Sequence, residues 1–145
     1  MATTSIWSIK NNLKVSLDYI MNPEKTINKD YGNNYYRELE LSSNKDYDFK
    51  NELSHYVSGV NCIADYAYQD MMSTKKQYGK TDGIIAFHSY QSFKEGEVTP
   101  DIAHEIGVKL AEEMWDDYEV VVATHQNTNH IHNHFIINLV SYKTG

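Results

Sequence analysis

The run Glu119–Val140, E-V-V-V-A-T-H-Q-N-T-N-H-I-H-N-H-F-I-I-N-L-V, limits what this chain can fold into more than any other stretch. Two β-rich runs flank a polar hexapeptide, the pattern of two adjacent antiparallel strands joined by a short loop. Successive side chains of a strand alternate between faces. His132, His134, Ile136, Asn138 and Val140 therefore share one side, and Ile131, Phe135, Ile137 and Leu139 share the other. The second set reads as the core face. His132 and His134 then stand side by side on the opposite face, separated by roughly 6–7 Å of backbone, near enough to meet on one ion at metal–nitrogen distances of about 2 Å.

A third ligand follows from reach. His130 has the same parity, but three alternate residues span about 13 Å of strand, too far to share one ion. His125 closes the preceding strand and reaches the same face across the ladder. The expected site is His125, His132 and His134, with coordination positions left open. A surface cluster or a structural clip are the competing readings. A structural zinc site closes its fourth position with another Cys or His, and the only cysteine, Cys62, falls in a segment whose pattern is helical. An open, catalytic type of site is the better match.

The rest of the chain reads as strands and helices in alternation. Thr3–Ile9 is β-branched and aromatic, a first strand. Asn11 or Asn12 caps a helix to about Met21, ended by Asn22-Pro23, with Leu13, Leu17, Ile20 and Met21 as its apolar stripe. Tyr19 falls outside that stripe, an aromatic hydroxyl on a rigid helix aimed away from the core. Residues 22–34 read as a polar loop and Arg37–Ser43 as a short strand. A helical pattern follows from about Asp46 to Gln77, interrupted near Gly59 and closed by Gly79. Lys75, Lys76 and Lys80 make a small basic patch that reads as a solvated helix end. Gly83–Tyr90 is a strand, and Thr99-Pro100 starts a helix with Ile102, Ile106, Leu110 and Met114 facing inward.

At 145 residues the chain is expected to be one domain, 1–145, with a real core; 41% apolar content argues against a disordered tail. A single cysteine excludes an internal disulfide framework, and no leader, membrane-length apolar run or lipidation signal is visible, so a cytoplasmic protein without membrane insertion is expected. A formal charge of -7 argues against binding nucleic acid through a broad basic surface. It leaves room for a short single strand in a local cleft, where a bound cation and aromatic rings do the holding.

Three separated segments now come together: D-Y-I-M-N-P-E-K-T, H-S-Y-Q-S-F-K-E-G-E-V-T-P and T-H-Q-N-T-N-H-I-H-N-H-F-I-I-N. In that order they resemble the relaxases, mobilization nucleases of the MobP class within the HUH endonuclease superfamily, from plasmids and integrative elements of Gram-positive bacteria. The resemblance implies an α+β fold with a central antiparallel sheet and helices packed on it. It matches Tyr19 to the nucleophile, His125, His132 and His134 to the metal triad, and Ser92 to a serine that contacts DNA near the nick. Asn127 departs from the pattern, since many relatives carry an acid there. Relatives of this class also continue well past the third segment, which implies a shortened chain or a minimal catalytic core.

The activity so implied is strand-specific nicking of single-stranded origin-of-transfer DNA by tyrosine attack, leaving a 5′-phosphotyrosyl link, for conjugative transfer or mobilization. One divalent cation is expected, Mg²⁺ or Mn²⁺ by resemblance, with Zn²⁺ or Ni²⁺ favoured by imidazole ligands in purified protein. Accessory relaxosome proteins and a coupling protein are the implied partners. Glu97 is a candidate base or a residue orienting a ligand; His88 reads first as a core histidine, with ligand orientation as its other reading; Asp18 points to another side of its helix. The rivals are a rolling-circle replication initiator, with Tyr142 as nucleophile after the histidine pair, a His-triad metal-dependent hydrolase acting through water, and a metal-binding module without activity.

Overall fold

The computed structural model describes residues 3–22, Thr26, residues 56–126 and residues 130–145. The strand expected at Arg37–Ser43 and the first part of the helix expected from Asp46 lie outside the described residues, as does Asn127. Among the described residues five strands form one antiparallel sheet in the order β1-β3-β5-β4-β2, with β1 at Thr3–Ile9, β2 at Val57–Val60, β3 at Ala86–Ser92, β4 at Val120–His125 and β5 at His132–Asn138. Helices α1 (Leu13–Ile20), α2 (Ala67–Gln77) and α3 (Pro100–Met114) pack on it. This is the α+β architecture expected. Among the described residues no helix is long and apolar enough to cross a membrane.

Both faces of the sheet are covered. On one, Leu13, Leu17 and Ile20 of α1 and Ala67 and Met71 of α2 pack against Ile9, Ala86, Val121, Ala123 and Ile136. On the other, Ala111 of α3 packs with Val60, Val120, Val122, Phe135 and Ile137. The expectation of one core face and one histidine face therefore needs correcting. The histidine side is itself a core, roofed by α1, because a central strand pair buries both of its faces once helices lie above and below.

Three local expectations are also corrected. Val57–Val60 is an edge strand paired with β4 and not part of a helix. Val57 joins the first core and Val60 the second, on opposite faces, where helical three-residue spacing would put them together. Cys62 accordingly sits in the bend after a strand. A Cβ on Gly59 would lie 2.2 Å from the Cys62 carbonyl oxygen, so only glycine permits this tight return.

On α3, Ile102 and Met114 are 49% and 63% exposed, while Ala103, Gly107 and Ala111 are buried against the sheet. Small residues win that face because they let the helix backbone approach closely: a Cβ on Gly107 would stand 2.8 Å from the Asn133 side chain and 3.0 Å from Val122. Lys75, finally, is only 1% exposed. Its ammonium bonds to the Ile85 carbonyl and Asn138 Oδ1, and Asn138 in turn bonds Glu119 at 3.1 Å. Burial pulls the Lys75 pKa down to about 8 against the opposing pull of Glu119. At the start of α1, Asn12 occupies the cap position in the left-handed conformation, φ 59°, and its side chain makes no capping bond.

Candidate active site

The ladder register decides which side chains meet. His125 lies directly opposite His132, Ala123 opposite His134, Tyr90 opposite His134, and Ser92 opposite His132. Partners across an antiparallel ladder share a face. The three predicted histidines therefore share one face with Tyr90 and Ser92. The His125 and His134 rings are 4.2 Å apart, and those of His132 and His134 6.2 Å. His130 stands outside the strands, exposed, with Nδ1 3.3 Å from the Phe93 carbonyl oxygen.

Helix α1 brings the tyrosine. Its apolar stripe seats Leu17 and Ile20 in the core beneath it, which turns Tyr19 to the flank, 50% exposed. His125 Nε2 donates to the Ile20 carbonyl at 2.8 Å, tying the end of β4 to the residue next to Tyr19. The Tyr19 ring meets His125 and His134 edge-on, with centroids 6.0 and 6.2 Å away. Tyr142 lies elsewhere. It follows the far end of β5, and its hydroxyl donates to the Asp116 carbonyl at 3.2 Å; β5 alone separates the two ends by roughly 20 Å.

A second layer holds the histidines. Nε2 of His88 and Nδ1 of His134 are 2.9 Å apart, so Nε2 is the His134 nitrogen left to face the cluster. His88 is buried, and burial, with the nearby His125 charge, pushes its pKa down to about 4. It is neutral at ordinary pH. Trp7, its cross-strand neighbour, lies against it at 4.4 Å. The Tyr90 ring lies 5.3 Å from that of His132 and 5.2 Å from that of His134. Burial, and secondarily His130, also hold the His132 pKa below the ordinary imidazole value, which keeps a lone pair available. Glu97 stands in the exposed turn after β3, accepting the Lys94 N–H at 2.9 Å, and Ser92 ends β3 beside His132.

Behind the sheet, a proton-ordered chain fixes the same strands. Thr124 donates to Asn133 Oδ1 at 2.7 Å, so its hydroxyl oxygen accepts from His104 Nδ1 at 2.9 Å; His104 Nε2 then accepts from Ser58 at 2.6 Å. Asn133 donates to Gln91 at 3.0 Å and to the Ala103 carbonyl at 2.7 Å. Thr124 precedes His125, and Asn133 sits between His132 and His134, each facing the opposite way. Sequence reasoning passed over Trp7, Tyr90 and His104. The alternation His88, Tyr90, Ser92 was the available signal, but which face it shared depended on pairing with β5.

Three imidazoles around one ion, each nitrogen at about 2.0–2.1 Å, hold their ring centres roughly 4.5–5 Å apart. The observed 4.2 and 6.2 Å fall on either side of that spacing. Among the described residues no three His, Cys, Asp or Glu side chains stand in ligand positions as they are. The donor set suits a divalent cation in chemistry and in face, and to hold one His132 would have to turn toward His134.

Residues 19–145 match the family described as relaxase, MobA/VirD2-like, nuclease domain. The chain is similar to two Staphylococcus aureus proteins named Protein rlx, 47% identical over 88 residues (61% of the chain, 28% of the relative) and 42% over 104 residues (72% and 32%). It is also 28% identical over 140 residues, 95% of its length, to the Group II intron-interrupted relaxase LtrB of Lactococcus lactis subsp. cremoris (strain MG1363), covering 25% of that protein. The chain thus spans about a third or less of the relatives it matches. No solved structure matches it.

Proposed function

The chain belongs to the relaxase family of MobA/VirD2-like nuclease domains, and from that premise we propose that it nicks single-stranded DNA at an origin of transfer through Tyr19. The observation that carries the reading is the edge-on placement of Tyr19 against His125 and His134, held by the His125–Ile20 bond. A phosphodiester between the hydroxyl and the imidazoles would be aligned for in-line attack. The Tyr19 oxygen forms a bond to phosphorus, the bond to the 3′ oxygen breaks, the phenolic proton leaves to solvent or a base, and the 3′ oxygen takes up a proton. The product is a 5′-phosphotyrosyl link that conserves the bond for religation.

His125, His132 and His134 would hold one divalent cation, Mg²⁺ or Mn²⁺ in the reaction, with Zn²⁺ or Ni²⁺ favoured by imidazole donors in purified protein. When bound there, such an ion polarises the non-bridging phosphate oxygens and offsets developing charge. The protein's own part is to orient. His88 sets which nitrogen of His134 faces the cluster, α1 sets the tyrosine, and Ser92, at the end of β3 opposite His132, would bond a phosphate beside the nick. Accessory relaxosome proteins and a coupling protein are the partners of this reading. The Tyr142 alternative is disfavoured by its position past the far end of β5, and Glu97 keeps the role of candidate base.

The test is direct. Protein, Mn²⁺ and single-stranded oligonucleotides tiling the origin-of-transfer DNA are incubated together and run under denaturing conditions. A covalent adduct mapping to Tyr19 supports the proposal. Cleavage that leaves no protein–DNA link, or an adduct on Tyr142, overturns it.

A further inference from the structure

Among the described residues strand β1 is the sheet's outer strand on the β3 side, and residues 4–8 along it are exposed. Trp7 is 46% exposed there. By register it faces the histidine side, because its partner is His88, whose neighbour across β5 is Ile136 of the first core. One side of the indole lies on the His88 imidazole at 4.4 Å, tilted 32°. His88 is in turn bonded to His134 at 2.9 Å. The indole is thus two ring steps, 4.4 and 5.1 Å, from a histidine of the candidate site.

The surroundings have a consistent chemistry. Ser5 is exposed opposite Tyr90, and Tyr90 and Ser92 are half-buried on the same face. Helix α1 packs over β4 and β5. Aromatic rings beside hydroxyls suit a single-stranded nucleic acid: bases stack on the rings and phosphates accept from the hydroxyls. A chain of formal charge -7 also needs non-ionic contacts to hold a polyanion away from its cation.

We propose that Trp7 is a nucleobase platform, on which a base adjoining the scissile phosphate stacks as the strand leaves the histidine cluster across β3 and β1. This rests on the proposed nicking function. It places one flank of the DNA, and it assigns Trp7 a positioning role through substrate contact and through His88.

Trp7 and Trp115 are the only tryptophans, and Trp115 packs on Phe135 under the opposite face, at 5.4 Å. In Trp115→Phe protein the remaining tryptophan emission reports Trp7 alone. Titration with the single-stranded oligonucleotide that forms the Tyr19 adduct should quench it, and an abasic site at one position beside the nick should abolish the quenching. Trp7→Ala should weaken binding of that strand about fivefold or more and raise KM more than it lowers kcat, while Trp7→Phe should restore most of the loss. If Trp7→Ala misfolds, the abasic scan and Trp7→Phe still decide.

Unquenched emission, or undiminished binding by Trp7→Ala, overturns the platform. With the Tyr19 adduct still forming, the nicking function stands without it. Failure of the wild-type chain to form any adduct removes both. A concentration-dependent dimer in sedimentation, lost in Trp7→Ala, would overturn the platform by making β1 a contact between two copies of the chain.

Discussion

The imidazole of His125 donates through Nε2 to the backbone carbonyl of Ile20, 2.8 Å away. This one bond joins the end of β4 to the last residue of α1 and sets the distance between Tyr19 and the histidines. If Ile20 keeps the Nε2 proton, His125 has only Nδ1 with which to meet a cation or phosphate.

Tyr19→Phe is expected to keep fold, metal binding and single-strand binding while abolishing cleavage and the covalent adduct. The side chain is half exposed and the change removes one oxygen, so the stability change should stay within about 0.5 kcal/mol. Tyr142→Phe should leave adduct formation intact. Gel assays of both variants beside a thermal melt check this.

Metal titration by calorimetry separates the histidines. Alanine at His132 or His134 should cost at least about tenfold in divalent-cation affinity. Alanine at His130, which sits outside the strands, should leave affinity nearly unchanged. Equal losses at all these positions would contradict the geometry.

His88→Ala removes the group that orients His134 and should lower cation affinity about 10–100-fold. His88→Gln, which keeps a hydrogen-bonding end, should recover part of it. Imidazole nitrogen chemical shifts of His134 give an independent reading, since loss of a fixed partner lets both tautomers appear.

Gly107→Ala should destabilise the fold by about 1–3 kcal/mol, because the added Cβ meets Asn133 and Val122 inside ordinary contact distance. Asn133 lies between His132 and His134, so cation affinity should fall as well. A denaturant series with a metal titration on the same sample measures both.

Lys75 sets a pH dependence. Its folded pKa, about 8, lies below its unfolded value near 10.4. The unfolded chain therefore binds more protons between those values, and stability should rise with pH across that window. Burial of Glu119 raises its carboxyl pKa, which acts the other way at lower pH, reducing stability as pH climbs above the ordinary carboxylate range. Melting midpoints from pH 7 to 10.5 should climb in the wild type relative to Lys75→Met, whose difference isolates the lysine from the tyrosines.

What the sequence by itself determined was local and periodic. Alternation placed His132 and His134 on one strand face, the stripe Leu13, Leu17, Ile20 turned Tyr19 outward, and Thr99-Pro100 marked the start of α3, where Thr99 accepts the Ile102 N–H. These follow from side-chain geometry within one element. Only the tertiary structure decided what faced those residues. Val57 and Val60 satisfy a helical spacing, yet pairing with β4 made them a strand; Lys75 looked solvated, yet Asn138 and the Ile85 carbonyl gave its charge a buried partner. Ile102 and Met114 lost the inner face of α3 to Ala103, Gly107 and Ala111 because close approach to Asn133 leaves no room for bulk. The neighbours of the histidines, His88, Tyr90 and Trp7, came from β3 and β1, elements far from them in the chain. Their register against β5 is a property of packing, which no spacing within a single segment encodes.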